Sequence, residues 1–178
     1  YYTDIVKMAG HSCPAVSGAY RITQLALGAL YGSETPTRGE IRVLIKGGAR
    51  DLAYGPQAQV FTLITGASGE TGFKGLGGRY GRNDRLKFDA LDPQFGTYIF
   101  QREDTGKTVK VVYDPSALGP DTGIGPLMPL VLNGTATDEQ KKLFAGLWQG
   151  KVRTILLDSD SYPGLFTVEE VDNFVFPG

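Results

Sequence analysis

Gly10-His11-Ser12-Cys13-Pro14-Ala15-Val16-Ser17-Gly18-Ala19-Tyr20-Arg21-Ile22-Thr23-Gln24-Leu25-Ala26-Leu27-Gly28-Ala29-Leu30-Tyr31 is the stretch on which the reading of this chain turns. Pro14 suits the first helical position, where a missing N–H has no intrahelical partner to lose. Val16, Ala19, Tyr20, Thr23 and Leu27 recur at helical spacing, and Ile22, Leu25, Ala26 and Ala29 fill much of the remainder. A helix apolar on nearly every side is a buried one. Gly32 is a natural stop.

On its N-terminal side, residues 1–8 allow only a short helical turn. On its C-terminal side, 33–39 is a polar connector and 40–46 alternates, with Ile41, Val43 and Ile45 on one face, as a strand does. After a turn at 47–51, the segment 57–65 mixes helix and strand preferences. Pro56 at its start favours a helix there. Residues 66–82 hold many glycines and little periodicity and read as a long loop. A strand is expected at 85–89, and a hairpin from 96–102 and 107–113 around Glu103-Asp104-Thr105-Gly106. Residues 114–135, rich in proline and glycine, are expected to wrap over the surface. Thr137 with Gln140 forms a capping-box pattern for a helix whose stripe is Leu143, Phe144, Leu147 and Trp148, continuing past Gly150 into 152–157. In the tail, 165–176, a β-like run is expected at each end of Val168-Glu169-Glu170. The sum is an α+β class: an antiparallel β-sheet with packed helices, in a single domain over 1–178.

Composition narrows the functions. With 41% hydrophobic and 21% charged residues in 178, the chain can bury a core, and a net charge of −1 gives no drive toward nucleic acid. The longest apolar run, 22–31, is too short and too interrupted to cross a bilayer, which needs roughly 20 residues. The single cysteine excludes an internal disulfide. The chain opens Tyr1-Tyr2-Thr3 without a methionine. A cleaved signal peptide, giving a periplasmic or secreted protein, and a cleaved tag account for that equally.

The candidate chemistry sits at His11 and Cys13, the sole histidine and the sole cysteine, together at the mouth of the buried helix. Sulfur beside imidazole suits a soft metal ion, zinc first. It also suits nucleophilic catalysis with histidine as base. Against this stands the bland reading, a packed cysteine and a satisfied histidine. A structural zinc needs four ligands, so two more would have to come from elsewhere. Covalent haem is excluded by the lack of a Cys-x-x-Cys-His motif, while non-covalent haem on His11 or Cys13 stays open. A weaker signal is the basic run Lys74, Arg79, Arg82, Arg85 and Lys87, opposed within it only by Asp84, in or beside the glycine-rich loop where it could cradle an anion. Gly75-Leu76-Gly77 is no dinucleotide fingerprint, and there is no P-loop.

Gly10-His11-Ser12-Cys13-Pro14 followed by Gly18-Ala19-Tyr20-Arg21 resembles the opening signature of the FmdE-like family, named for its association with formylmethanofuran dehydrogenase. Ile64-Thr65-Gly66-Ala67-Ser68 with Gly72-Phe73-Lys74-Gly75 is similar to that family's second region, and Thr105-Gly106-Lys107 to the hairpin after it. The resemblance implies a homodimeric FmdE-like α+β core with a metal-binding pocket around His11 and Cys13. It also implies a small molecule or cofactor held by Tyr54, Gln57, Gln59 and Lys74, which fall in or near the second region. Ala67 stands where the family carries cysteine, which separates this chain from the family's ligand set. The expectation is therefore a metal- or metallocofactor-binding protein, zinc or haem being the group held, with redox or hydrolytic activity. The alternatives are a non-covalent haem-binding or redox accessory protein, and a structural accessory subunit without catalysis.

Overall fold

The computed structural model describes residues 1–120 and 122–178, so Asp121, within the stretch expected to wrap the surface, lies outside the described residues. The fold is mixed α+β, a sheet with packed helices. The chain opens with α1 (Tyr2–Ala9), a full helix where a turn was expected, ended by Gly10 in the left-handed region at φ 75°. Next comes α2 (Pro14–Tyr31), with Cys13 at its N-cap and Val16, Ala19, Ile22 and Ala26 wholly buried, as its apolar circumference requires.

β1 (Ile41–Ile45) follows and runs to α3 (Tyr54–Thr65), which crosses the sheet and leads through the glycine-rich loop to β2 (Leu86–Phe88). β2 lies parallel to β1, with Val43 opposite Leu86. Parallel neighbours cannot be joined by a tight hairpin, so the crossover through α3 and the loop is what makes this pairing reachable. The expectation of a purely antiparallel sheet is corrected here: the sheet is mixed. The hairpin is β3 (Thr97–Arg102) and β4 (Thr108–Tyr113), and β5 (Phe166–Glu170) adds antiparallel to β4, giving the order β2-β1-β3-β4-β5. β5 is one strand running straight through Val168-Glu169-Glu170, not two flanking runs. As the edge strand it exposes both glutamates, so charge there costs nothing.

One face of the sheet carries the main core. Ile41, Val43 and Ile45 of β1, Tyr98 and Phe100 of β3, and Val109 and Val111 of β4 pack under α2 and α3, with Phe61 edge-on to both Tyr98 (5.3 Å) and Phe100 (5.4 Å). The other face holds a small cluster of Leu44, Ile99 and Phe176, which the chain's tail covers. α2 lies very close to β4: a Cβ at Gly18 would fall 2.6 Å from Tyr113 Cε1, so only glycine allows this approach.

The stretch expected to wrap the surface instead contains α4 (Ile124–Leu132). Pro126 falls in its first turn, where its missing N–H costs nothing, although Pro129 sits inside the helix. α5 (Asp138–Leu157) runs unbroken through Gly146 and Gly150. Its capping box is formed as the sequence suggests: Gln140 N donates to Thr137 Oγ1 at 3.2 Å and Thr137 N to Gln140 Oε1 at 2.9 Å. Among the described residues no helix is long and apolar enough to cross a membrane.

Candidate ligand cavity

The motif at residues 10–14 is a joint between elements. His11 is exposed, and its Nδ1 donates back to the Ala9 carbonyl at the end of α1, 3.0 Å away. Cys13 is buried among the core side chains and makes no side-chain hydrogen bond to the first turn of α2. Ser12 between them is held from two sides: its carbonyl accepts from Trp148 Nε1 of α5 at 2.9 Å, and its Oγ lies 2.8 Å from Tyr2 Oη.

This overturns the metal reading. Among the described residues, no group of three or more His, Cys, Asp or Glu side chains comes together to hold a metal ion. His11 and Cys13 supply two donors at most, one on the surface and one in the core, and the fold brings no third to them. Zinc, the wider metal-binding description and haem ligated at this motif are corrected together. The physical reason is that the loop's direction is fixed by Trp148 and Tyr2, which turn Cys13 inward and leave His11 in solvent.

A cavity opens beside the motif. It has a volume of about 380 Å³ and lies between the first turn of α2 (Pro14, Ala15), the start of α3 (Leu52, Ala53, Tyr54, Gln57), the approach to β3 (Phe95, Gly96, Tyr98) and the exit of β4 (Tyr113, Pro115). Lys151 of α5 completes the wall and also lines a neighbouring cavity of about 240 Å³ with Ile124 and Leu147. The lining is mostly apolar, with a few fixed polar groups, as small-molecule sites are.

Each tyrosine is locked. Tyr98 Oη donates to Gln57 Oε1 at 2.7 Å, which turns the amide NH2 of Gln57 away from Tyr98. Tyr54 Oη accepts from Gly96 N at 3.1 Å, and Gly47 leaves the room its ring needs. Gly96 sits at φ 59°, where a side chain would strike the Tyr113 carbonyl. Tyr113 Oη donates to the Pro14 carbonyl at 3.4 Å, and its ring stacks on Phe166 with centroids 4.8 Å apart. Burial pushes the Tyr98 phenol far above its ordinary value, and the neighbouring Tyr54 adds to this. Burial does the same to Tyr113, with Cys13 adding to it. Both phenols therefore stay protonated at physiological pH and act as neutral hydrogen-bonding groups.

The four side chains that the resemblance singled out part company. Tyr54 and Gln57 are buried and line this cavity together. Gln59 is exposed and borders a separate depression with Met8, Arg38 and Phe88, while Lys74 is exposed on the glycine-rich loop. Tyr98, Tyr113, Phe95 and Lys151 were not foreseen. Tyr98 and Tyr113 sit near the paired ends of one hairpin, a signal present in its register but readable only once the hairpin is known to end at the cavity.

No protein-family model matches the chain, and no curated protein matches it.

Proposed function

We propose that this chain is an accessory protein without catalysis of its own that binds a small, ring-bearing molecule in the tyrosine-walled cavity. We further propose that it is a distant form of the FmdE-like core without that family's metal chemistry. The observation that carries this reading is the convergence of Tyr54, Tyr98, Tyr113 and Phe95 with the Gln57 amide around about 380 Å³ beside the motif helix. Aromatic walls suit a planar apolar group. The Gln57 amide NH2, turned away from Tyr98, offers a hydrogen bond to one polar substituent, which would set its orientation.

The test is fluorescence titration with anilinonaphthalene sulfonate, an apolar aromatic anion, on the wild type and on Ala15→Trp, which places a large ring in the cavity. Saturable binding at one site, lost in Ala15→Trp, supports the reading. Binding that is unsaturable, or that Ala15→Trp leaves untouched, refutes it.

A second reading concerns the partner, and α4 favours it. Its sequence, Ile-Gly-Pro-Leu-Met-Pro-Leu-Val-Leu, carries no charge, yet only Ile124 is buried. Leu132, Leu143 and Leu147 on the same helical pair are exposed by 77%, 56% and 37%. An apolar patch of this kind marks an association surface, and a second copy of the chain is the partner the resemblance implies. Sedimentation of the wild type is expected to give a dimer, and Leu132→Glu with Leu143→Glu a monomer. A monomeric wild type sinks the idea.

A further inference from the structure

The tyrosine cavity makes no use of the glycine-rich segment or its arginines. That segment is built, not loose. Ser68 N donates to the Arg82 carbonyl at 2.9 Å, Arg82 N to Phe73 at 2.7 Å and Arg85 N to Ser68 at 3.0 Å, while Leu76 and Arg79 exchange backbone bonds of 2.9 and 3.0 Å. It folds against the connector before β1, where a Cβ on Gly66 would fall 3.2 Å from Arg38 Cγ and 3.3 Å from Gly39 N. Between the two lies a separate cavity of about 290 Å³, lined by Arg38 and Glu40 of the connector, Arg79 and Tyr80 of the loop, Arg85 ahead of β2, and Glu103 after β3.

The charges around it are unevenly matched. Glu103 is fully committed: Oε2 accepts from Arg85 Nη2 at 2.6 Å and Oε1 from Arg42 Nε at 2.8 Å. Glu40 is the other carboxylate in the lining, which holds three arginines and two glutamates. Arg38 Nη2 donates to the Leu63 carbonyl at 3.1 Å, and the Arg79 guanidinium lies over the Tyr80 ring at 5.6 Å. One guanidinium nitrogen of the lining, Arg85 Nη1, is buried with no hydrogen-bond partner among the described residues. A buried N–H left unpaired is costly, and on a guanidinium the group that best satisfies it is an oxyanion.

We propose that this cavity binds a small phosphate monoester, with Arg38, Arg79 and Arg85 holding its phosphate group. The three arginines come from three separate segments. A tetrahedral phosphate presents three acceptor oxygens in different directions, whereas a carboxylate offers two in one plane. The volume lies near the lower bound of small-molecule sites, roughly 300–1,000 Å³, which fits a phosphate and a short substituent better than a whole nucleotide.

Isothermal titration calorimetry with glycerol 2-phosphate, and with sodium chloride at matched ionic strength, tests this. Saturable heat is expected for the phosphate ester alone. Arg38→Gln or Arg79→Gln should weaken binding by roughly ten- to a hundredfold, the loss of one charge-assisted hydrogen bond. Lys74→Gln, on the same loop but outside the lining, should change it by less than about twofold. No saturable heat with the wild type overturns the proposal, as does equal competition by chloride, or equal weakening by Lys74→Gln and Arg79→Gln. If the arginine variants lose their circular dichroism signal, the wild-type contrast between phosphate ester and chloride decides alone. Ala15→Trp, which fills the tyrosine cavity, should leave phosphate binding unchanged, so the two sites stand or fall separately.

Discussion

Replacing Tyr98 with phenylalanine removes one oxygen from the centre of the molecule and leaves the ring in place. The edge-on contacts to Phe61 at 5.3 Å and Tyr54 at 5.9 Å survive. The 2.7 Å bond to Gln57 does not. Gln57 is only 4% exposed, so its Oε1 is left buried without that donor. A lost bond together with an orphaned buried acceptor costs about 1–3 kcal/mol. For a chain of this size, about 2 kcal/mol lowers the melting temperature by roughly 4–8 °C. The assay is urea unfolding of Tyr98→Phe, Gln57→Met and the double variant. If the hydrogen bond is the cause, removing both partners costs less than the sum of the two single losses, with a coupling of about 1–2 kcal/mol. Strict additivity, or a Tyr98→Phe loss below about 0.5 kcal/mol, would show that the bond contributes nothing and that Gln57 is satisfied elsewhere.

Three further outcomes are expected. Gly18→Ala should destabilise by about 1–3 kcal/mol, because its Cβ meets the Tyr113 ring at 2.6 Å while that ring is stacked on Phe166. Gly28→Ala in the same helix, with nothing within 4 Å of the new Cβ, should stabilise by up to about 1 kcal/mol; thermal melts of the pair compare the two directly. The folded Tyr98 and Tyr113 phenols lie above their unfolded value, so their contribution is whole below about pH 10 and is lost as pH rises beyond it. The unfolded chain then releases protons that the folded chain keeps, at up to about 1.4 kcal/mol per pH unit for each tyrosine. Unfolding curves between pH 9 and 11 read this slope, and Tyr98→Phe should make it shallower. Dialysis against a chelator should leave the melting temperature unchanged. A drop of several degrees would show a bound metal that the two donors His11 and Cys13 do not explain.

The sequence announced those elements whose local signal and burial agree. α2 could be read because its apolar residues leave no polar face to contradict burial, and the β3–β4 hairpin because its turn residues sit between two β-branched runs. α4 was missed because two prolines and two flanking glycines speak for a loop, and only its apolar content and its packing on α5 speak for a helix. β2 was visible as a strand, but its parallel partnership was not, since the crossover depends on where α3 lies. Half of the cavity was within reach: Tyr54 and Gln57 fall on one face of α3, whereas Gln59 is turned away by the helical period that brings those two together. Tyr98, Tyr113 and Lys151 come from elements distant in sequence, and no local pattern ties them to α3.

The motif that drew attention to metal was a true signal with a different meaning. Residues 10–14 are where α1, α2, β4 and α5 are fastened together. Tyr2 of α1 meets Ser12 Oγ, Trp148 of α5 holds the Ser12 carbonyl, Tyr113 of β4 reaches the Pro14 carbonyl, and Ser17 donates its hydroxyl to the Cys13 carbonyl at 2.9 Å. Small residues, an N-cap and a first-turn proline serve such a crossing because they present backbone carbonyls with little side-chain obstruction. Cys13 fills the core beneath it at 8% exposure, as a small hydrophobe does. Pro14 and Ala15 then pass directly into the wall of the ligand cavity. The joint and the cavity are therefore one construction: Trp148 of α5 holds the carbonyl of Ser12, two residues before the Pro14 that begins one wall of the cavity.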